Sequence, residues 1–281
     1  MSIGVCLKSV PLRVEIDALT GVATTFESEY GLSAADEAAL EWALRLGALW
    51  GEPVAAASVG PVRADGVVRL ALAAGAASAR RVHVEAGMCD RLDSSAVAVN
   101  LAGALEDARV VVCGDYSIDR GSGSVPAFLA AELDAAQALG LLSLDPAADG
   151  SVRAVRRLDG GRREIVRASG RMVLSVEGGS VQLRRASLAA TLASARASIE
   201  VTAALDVTSA NVDPRTLRAR PRLRPAPAGD DALARLRALT ATGTVTVRSL
   251  PIEATPAEAA ERIIEALAAW GYDRPSRRTI G

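Results

Sequence analysis

The sequence predicts an α/β protein: a three-layer, parallel-sheet fold with an added antiparallel portion and a C-terminal extension. Three observations predict it. Over roughly the first half of the chain, short Val- and Ala-rich runs alternate with stretches of helical periodicity. Those runs are apolar throughout rather than every second residue, as strands covered on both faces must be. Beyond residue 150 the runs become short and closely spaced around Asp159-Gly160-Gly161, which is hairpin chemistry.

In order, Gly4-Val5-Cys6-Leu7 reads as a buried strand, followed by a polar loop. Ser33-Ala34-Ala35-Asp36 carries the [ST]-x-x-[DE] capping pattern, and Glu37 adds a second acid to the first turn. Leu40, Leu44 and Ala48 continue that helix. Residues 53–59 form a second strand closed by Gly60-Pro61. Val67, Leu70, Ala71 and Ala74 mark a second helix that Gly75 stops. Residues 81–85 are a third strand, and Asp93 caps a helix through Val97, Leu101 and Leu105. Residues 109–113 are a fourth strand, ended by Gly114. Residues 151–158, 163–168 and 172–176 read as short strands, whereas 186–198 suits an Ala-rich helix or an ordered loop equally. Four prolines and five arginines within 214–229 predict an extended connector. Residues 230–241 then read as a helix and 244–249 as a strand. Thr255, Pro256 and Glu258 open a last helix that runs to Trp270 and stops at Gly271. The expected organisation is a domain over 1–205, a connector over 206–229 and an extension over 230–281.

Composition narrows the function. The chain of 281 residues is 50% hydrophobic but only 3% aromatic, so its core must be Ala, Val and Leu. Lysine and arginine number 32 against 33 acids, for a net charge of -1, which argues against a nucleic-acid binder with a broad basic face. Three scattered cysteines (Cys6, Cys89, Cys113) and one histidine, His83, make a disulfide framework or an all-protein zinc site a poor reading and fit a reducing cytoplasm. No apolar stretch suits a membrane span, and no basic n-region suggests a signal peptide.

Ligands of open α/β sheets bind beyond the carboxyl ends of the strands. Four loops end strands there: residues 8–11, 58–61, the stretch after Glu85, and 114–125. In the last, Gly121, Ser122, Gly123 and Ser124 precede a helix and offer bare amides and hydroxyls to a phosphate, with Arg120 as a charged donor. A turn that merely caps a helix reads equally well. Neither a P-loop nor a G-x-G-x-x-G occurs. Asp115 and Asp119 suit turn formation better than a metal pair. His83 lies within a strand, and no Ser or Cys has a nucleophile's setting, so no side-chain catalyst is expected.

Several segments carry a resemblance. Val5-Cys6-Leu7-Lys8-Ser9-Val10-Pro11 is similar to a V-x-V-K-x-V-P opening, and residues 33–46 to N-P-x-D/C-E-x-A-V-E-E-A-x-R-L. Ser58-Val59-Gly60-Pro61 and residues 70–77 follow, and residues 114–125 resemble G-x-Q-x-I-D-x-D-x-x-Q-T. Gln137 stands at a W-P-Q position, Asp159-Gly160-Gly161 at a D-G-G, and residues 184–201 in place of R-Y-A-x-L-P-N-I-M-K-A. In that order and spacing, residues 1–200 resemble the beta subunit of electron transfer flavoproteins, the FixA-like group, as a divergent member. The resemblance implies an adenine-nucleotide-binding fold and a heterodimer with an alpha subunit. It implies an FAD held mostly by alpha, and AMP or a second FAD in the beta site. Nucleotide contacts would fall on Cys6, Ser33, Val59, Gly114, Asp119, Arg120, Gly121, Ser122, Gly123, Ser124 and Val125. Leu188, with Arg184 and Arg185, would dock a specialised dehydrogenase whose electrons pass on toward the respiratory chain. Ser33-Ala34 replaces the family's Asn-Pro, Arg120 and Gly121 replace acids, Val125 replaces a threonine, and Arg185 replaces a tyrosine. The alternative is a nucleotide-sensing module like the universal-stress proteins, without flavin.

Overall fold

A computed structural model of the chain describes residues 2–89, 92–205, 227, 229–240 and 254–269. The chain divides into two compact units, Met1–Arg215 and Thr216–Gly281. The first unit begins with β1 (Ser2–Cys6), β2 (Val10–Pro11), β3 (Val14–Ile16), β4 (Ala23–Thr25) and β5 (Tyr30–Gly31), then α1 (Ala34–Trp50). It continues with β6 (Val54–Gly60), α2 (Asp65–Ala74), β7 (Ser78–His83), α3 (Ala86–Cys89), α4 (Ser94–Ala104), β8 (Ala108–Gly114) and α5 (Val125–Glu132). It ends with β9 (Ala136–Pro146), β10 (Val152–Arg157), β11 (Arg163–Ala168), β12 (Met172–Val176), α6 (Leu188–Arg196) and β13 (Glu200–Ala203). The second unit holds α7 (Ala232–Thr240) and α8 (Pro256–Ala269).

One nine-stranded sheet runs in the order β11-β10-β9-β12-β8-β1-β6-β7-β13. From β9 to β13 every neighbouring pair is parallel, while β10 pairs antiparallel with both β9 and β11. The period-2 geometry of strands sends Ile3, Val5, Val110, Val112, Met172 and Leu174 into a core shared with Leu40, Leu44 and Leu46 of α1 and Val67 and Val68 of α2. Ala57, Val111 and Val173 pack with Leu101 of α4 and Leu129 of α5 in a second core. Helix, sheet, helix is therefore the three-layer arrangement expected. Small side chains let helix and sheet approach closely, and each wholly buried leucine such as Leu46 or Leu129 contributes about 1.5–3 kcal/mol.

The structure adds to the sequence reading in three places. The polar loop after β1 contains two short ribbons, β2 with β5 and β3 with β4. The strand β9 was not foreseen, because Ala136–Pro146 has no β-branched residue and no alternation. Its left-handed Gly140 makes an irregular step, and the freed amide donates to Ser175 Oγ at 2.9 Å. The third predicted short strand, β12, pairs not with β11 but in parallel between β9 and β8. β10 and β11 do form the expected hairpin across Asp159-Gly160-Gly161. The open choice at 186–198 resolves as helix α6, with Ser187 Oγ accepting from Ala190 N. In the second unit, Thr255 and Glu258 form the expected capping box. Most of the connector, the strand at 244–249 and the Trp270-Gly271 stop lie outside the described residues.

Candidate functional site

The order β8-β1-β6 makes the carboxyl ends of β1 and β8 the point where crossovers leave in opposite directions, which is where an open sheet parts to form a crevice. A cleft of about 410 Å³ opens there. Its floor includes Cys6 and Cys113, one wall carries Val59, Val97 and Leu101, and Thr25, Tyr30 and Arg63 lie at its rim with Pro11. Arg63 stacks on the Tyr30 ring at 4.6 Å and pairs with Glu27 at 3.4 Å, joining the loop after β6 to the ribbon.

Asp36 sets the crevice. Ser33 Oγ caps α1 by accepting from Asp36 N at 3.2 Å, which turns the Asp36 carboxylate back onto the sheet. There Oδ2 accepts from Lys8 N at 3.0 Å, and the Gly114 amide donates to the same carboxylate. One side chain thus ties the first residues beyond β1 to the last of β8. Gly114 is required by closeness: a Cβ there would lie 2.7 Å from Asp36 Oδ1 and 3.0 Å from Ala35 Cβ. Burial pushes the Asp36 carboxyl up to about 7, with the nearby Asp119 adding to it, against the two amides and the Lys8 charge. Lys8 Nζ pairs with Asp119 at 2.6 Å. Burial works against ionisation of Asp119, yet hydrogen bonds from Lys8 and Ser117 outweigh it and hold the carboxyl below its ordinary value. Asp115 is raised, chiefly by burial.

The Cys6 thiol is quiet. The hydrogen bond to Cys113, burial, and the nearby Cys113 and Asp36 charges all raise the Cys6 pKa, so neither a thiolate nor its reactivity is favoured. All three cysteines nevertheless line this one cleft. Among the described residues, no group of three or more His, Cys, Asp or Glu could hold a metal ion.

At the far end two helix N-termini meet. Ser94 opens α4, and Ser122 and Ser124 precede α5. The Ser124 hydroxyl donates to Ser94 Oγ at 2.8 Å and to Ser122 Oγ at 3.2 Å, and Ser94 Oγ lies 3.3 Å from Ser122 Oγ. No side chain caps α5 and Pro126 stands in its first turn, so the Val125 and Ala127 amides have no intrahelical acceptor. Gly123 adopts φ +61, and a Cβ there would lie 2.8 Å from Asp115 O. Such an end suits an anionic group.

Of the residues the sequence singled out, Cys6, Val59, Gly114, Asp119, Arg120, Ser122, Gly123 and Val125 line the cleft together. Ser33 is spent on the α1 cap. Gly121 closes the turn by donating to Ser117 O at 2.8 Å, and Ser124 reaches the site through Ser94 and Ser122. Arg120 donates Nη1 to Leu92 O and Nη2 to Cys89 O at 3.4 Å, so much of its hydrogen bonding braces the loop ahead of α4. Leu188 is 75% exposed on α6, apart from the cleft lining, and Arg184 is engaged by Glu41. Sequence reasoning missed Asp36 as more than a helix-capping acid, and it missed Ser94, Tyr30 and Arg63. Of these only Asp36 had a signal, an acid in the first turn of the first helix after a strand-ending Lys.

Residues 20–207 match the electron transfer flavoprotein domain. No curated protein matches the chain. Among the described residues no helix is long and apolar enough to cross a membrane. With the match spanning well over half of its length, and with a parallel sheet parting into a cleft at its switch point, the chain belongs to the electron transfer flavoprotein domain family.

Proposed function

We propose that the chain is the beta subunit, of FixA-like type, of a heterodimeric electron transfer flavoprotein. In this reading an alpha subunit supplies most of the FAD site. A specialised dehydrogenase donates the electrons, which pass on toward the respiratory chain, and the protein itself works in the cytoplasm. The cleft at the switch point holds an adenine nucleotide, and its volume, at the low end for small-molecule sites, favours AMP over a second FAD.

One observation carries the nucleotide: the cleft ends where the serine trio meets the uncapped N-terminus of α5. The uncapped N-terminus of α5 with its Val125 amide, and the Ser94 and Ser122 hydroxyls, supply donors to a phosphate without needing a lysine or metal. The Asp36 tie between Lys8 and Gly114 keeps the crevice at fixed width. Cys6, Val59 and Leu101 offer the apolar surface that a purine ring requires. Bound FAD supplies the electron-carrying chemistry, and the chain contributes binding, orientation and electrostatics.

Co-expression with an alpha subunit tests the reading. The expected product is a yellow heterodimer from which denaturation releases FAD and AMP in equal amounts. A solitary chain carrying neither overturns it, and a homodimer binding ATP without flavin supports the universal-stress alternative.

A further inference from the structure

Aromatic side chains make up only 3% of this chain, and three of them are tyrosines. The two tyrosines among the described residues, Tyr30 and Tyr116, both line the cleft, and none of the described phenylalanines or tryptophans does. They stand at different ends of it. Tyr116 is 52% exposed, and a Cβ at Gly123 would lie 3.9 Å from its own Cβ, so it belongs to the anionic end. Tyr30 is half-buried at the rim and fixed from three sides. Its backbone pairs with Pro11 between β2 and β5. Its hydroxyl donates to Thr25 Oγ1 at 3.3 Å. The Arg63 guanidinium lies over its ring, 4.6 Å from the centroid, and is steadied by Glu27 at 3.4 Å. A ring already held in this way loses little freedom when a ligand arrives. Arg63 also follows directly from the apolar surface that suits a purine. It stands four residues beyond Val59, and Gly60, Pro61 and Ala64 continue the cleft lining between and beyond them.

We infer that Tyr30 is the base-stacking residue of the cleft and Arg63 the positioning residue that holds its ring, so that the site selects purine over pyrimidine 5′-mononucleotides. The inference rests on the nucleotide site proposed above and adds its specificity. Arg63 covers one ring face and is attracted by its π electrons, which leaves the other face for offset stacking by a planar base. A purine brings two fused rings to that face and a pyrimidine one, so stacking ranks the purine first. The phosphate stays with the serines at the opposite end, and Arg63 reads no charge on the ligand.

The test uses the nucleotide-depleted heterodimer containing the full chain, with AMP, CMP and ribose 5-phosphate as calorimetric probes. Y30A is expected to raise the Kd for AMP about tenfold and that for CMP less. Ribose 5-phosphate, which has no base, is expected to bind Y30A as it binds the wild type. Y30F loses only the bond to Thr25 and is expected to keep the affinity for AMP. R63M is expected to raise the AMP Kd roughly three- to fivefold, again without touching ribose 5-phosphate, and R63K to restore part of it. Unaltered AMP binding in Y30A overturns the stacking role. An equal loss for AMP and ribose 5-phosphate marks a merely structural tyrosine and overturns it too. Y30L carries the same comparison if Y30A does not fold. Unaltered AMP binding in R63M overturns the positioning role, whereas a wild type that binds none of the three probes overturns the underlying nucleotide site instead.

Discussion

Asp36 shows what one residue does at the switch point. Its carboxyl titrates near 7 because burial opposes its charge more than two amides and Lys8 favour it. The folded value lies above the unfolded one, so the associated stability is fully present below about pH 4, erodes as pH rises, and is gone once pH passes about 7. A shift of this size corresponds to about 4 kcal/mol. Denaturant unfolding between pH 4 and 8 is therefore expected to show a falling contribution in the wild type that is absent from D36N. Glu41 and Asp119 act in the opposite sense. Both are held low, by Arg184 and Arg45 and by Lys8 and Ser117, against the burial that would raise them. Their stability is lost as pH falls through their folded values, so only the difference between wild type and D36N isolates Asp36. At the anionic end, G123A must force a Cβ against Asp115 O in a left-handed backbone. It is expected to cost about 1 kcal/mol or more and to weaken AMP binding in calorimetry, and unaltered binding would speak against a phosphate at that turn.

At the scale of elements, α1 is the organising helix. It is buried on most of its surface, its first turn carries Asp36 to the strand ends, and its middle carries Glu41 to the segment before α6. S33A removes its cap and is expected to lower unfolding free energy by about 1 kcal/mol, read by chemical denaturation. The same helix shows how much of the site was legible. Its start was plain from Ser33 and Asp36, since capping is a local matter of three residues. The destination of the Asp36 carboxylate was not, because Lys8 and Gly114 lie 28 and 78 residues away in sequence and meet only when β1 and β8 pair. The serine turn was legible as Gly and Ser ahead of a helix, whereas Ser94, from within the β7–β8 crossover, was not. β9 escaped notice for a different reason: sandwiched between β12 and β10, it forms by pairing rather than by propensity.

For the whole molecule, the units Met1–Arg215 and Thr216–Gly281 suggest a division of labour. The first holds the sheet and the cleft. In the second, α8 leaves Ile263, Ile264 and Leu267 exposed by 60%, 40% and 38%, a stripe that an alpha subunit is suited to cover. Deleting residues 255–281 is expected to leave the unfolding transition of the first unit intact and to abolish co-purification of the heterodimer. A deleted chain that still co-purifies would assign the interface to the first unit.

Local chemistry already dictated the alternation of strands and helices, the helix caps, the hairpin and the glycine-serine turn, because each element depends on residues within a few positions of one another. Packing alone settled which strands became neighbours, how a capping aspartate came to bridge two of them, and why a short helix stands with its leucines outward. Those outcomes come from contacts between segments far apart along the chain, whose energies exist only once the sheet has assembled.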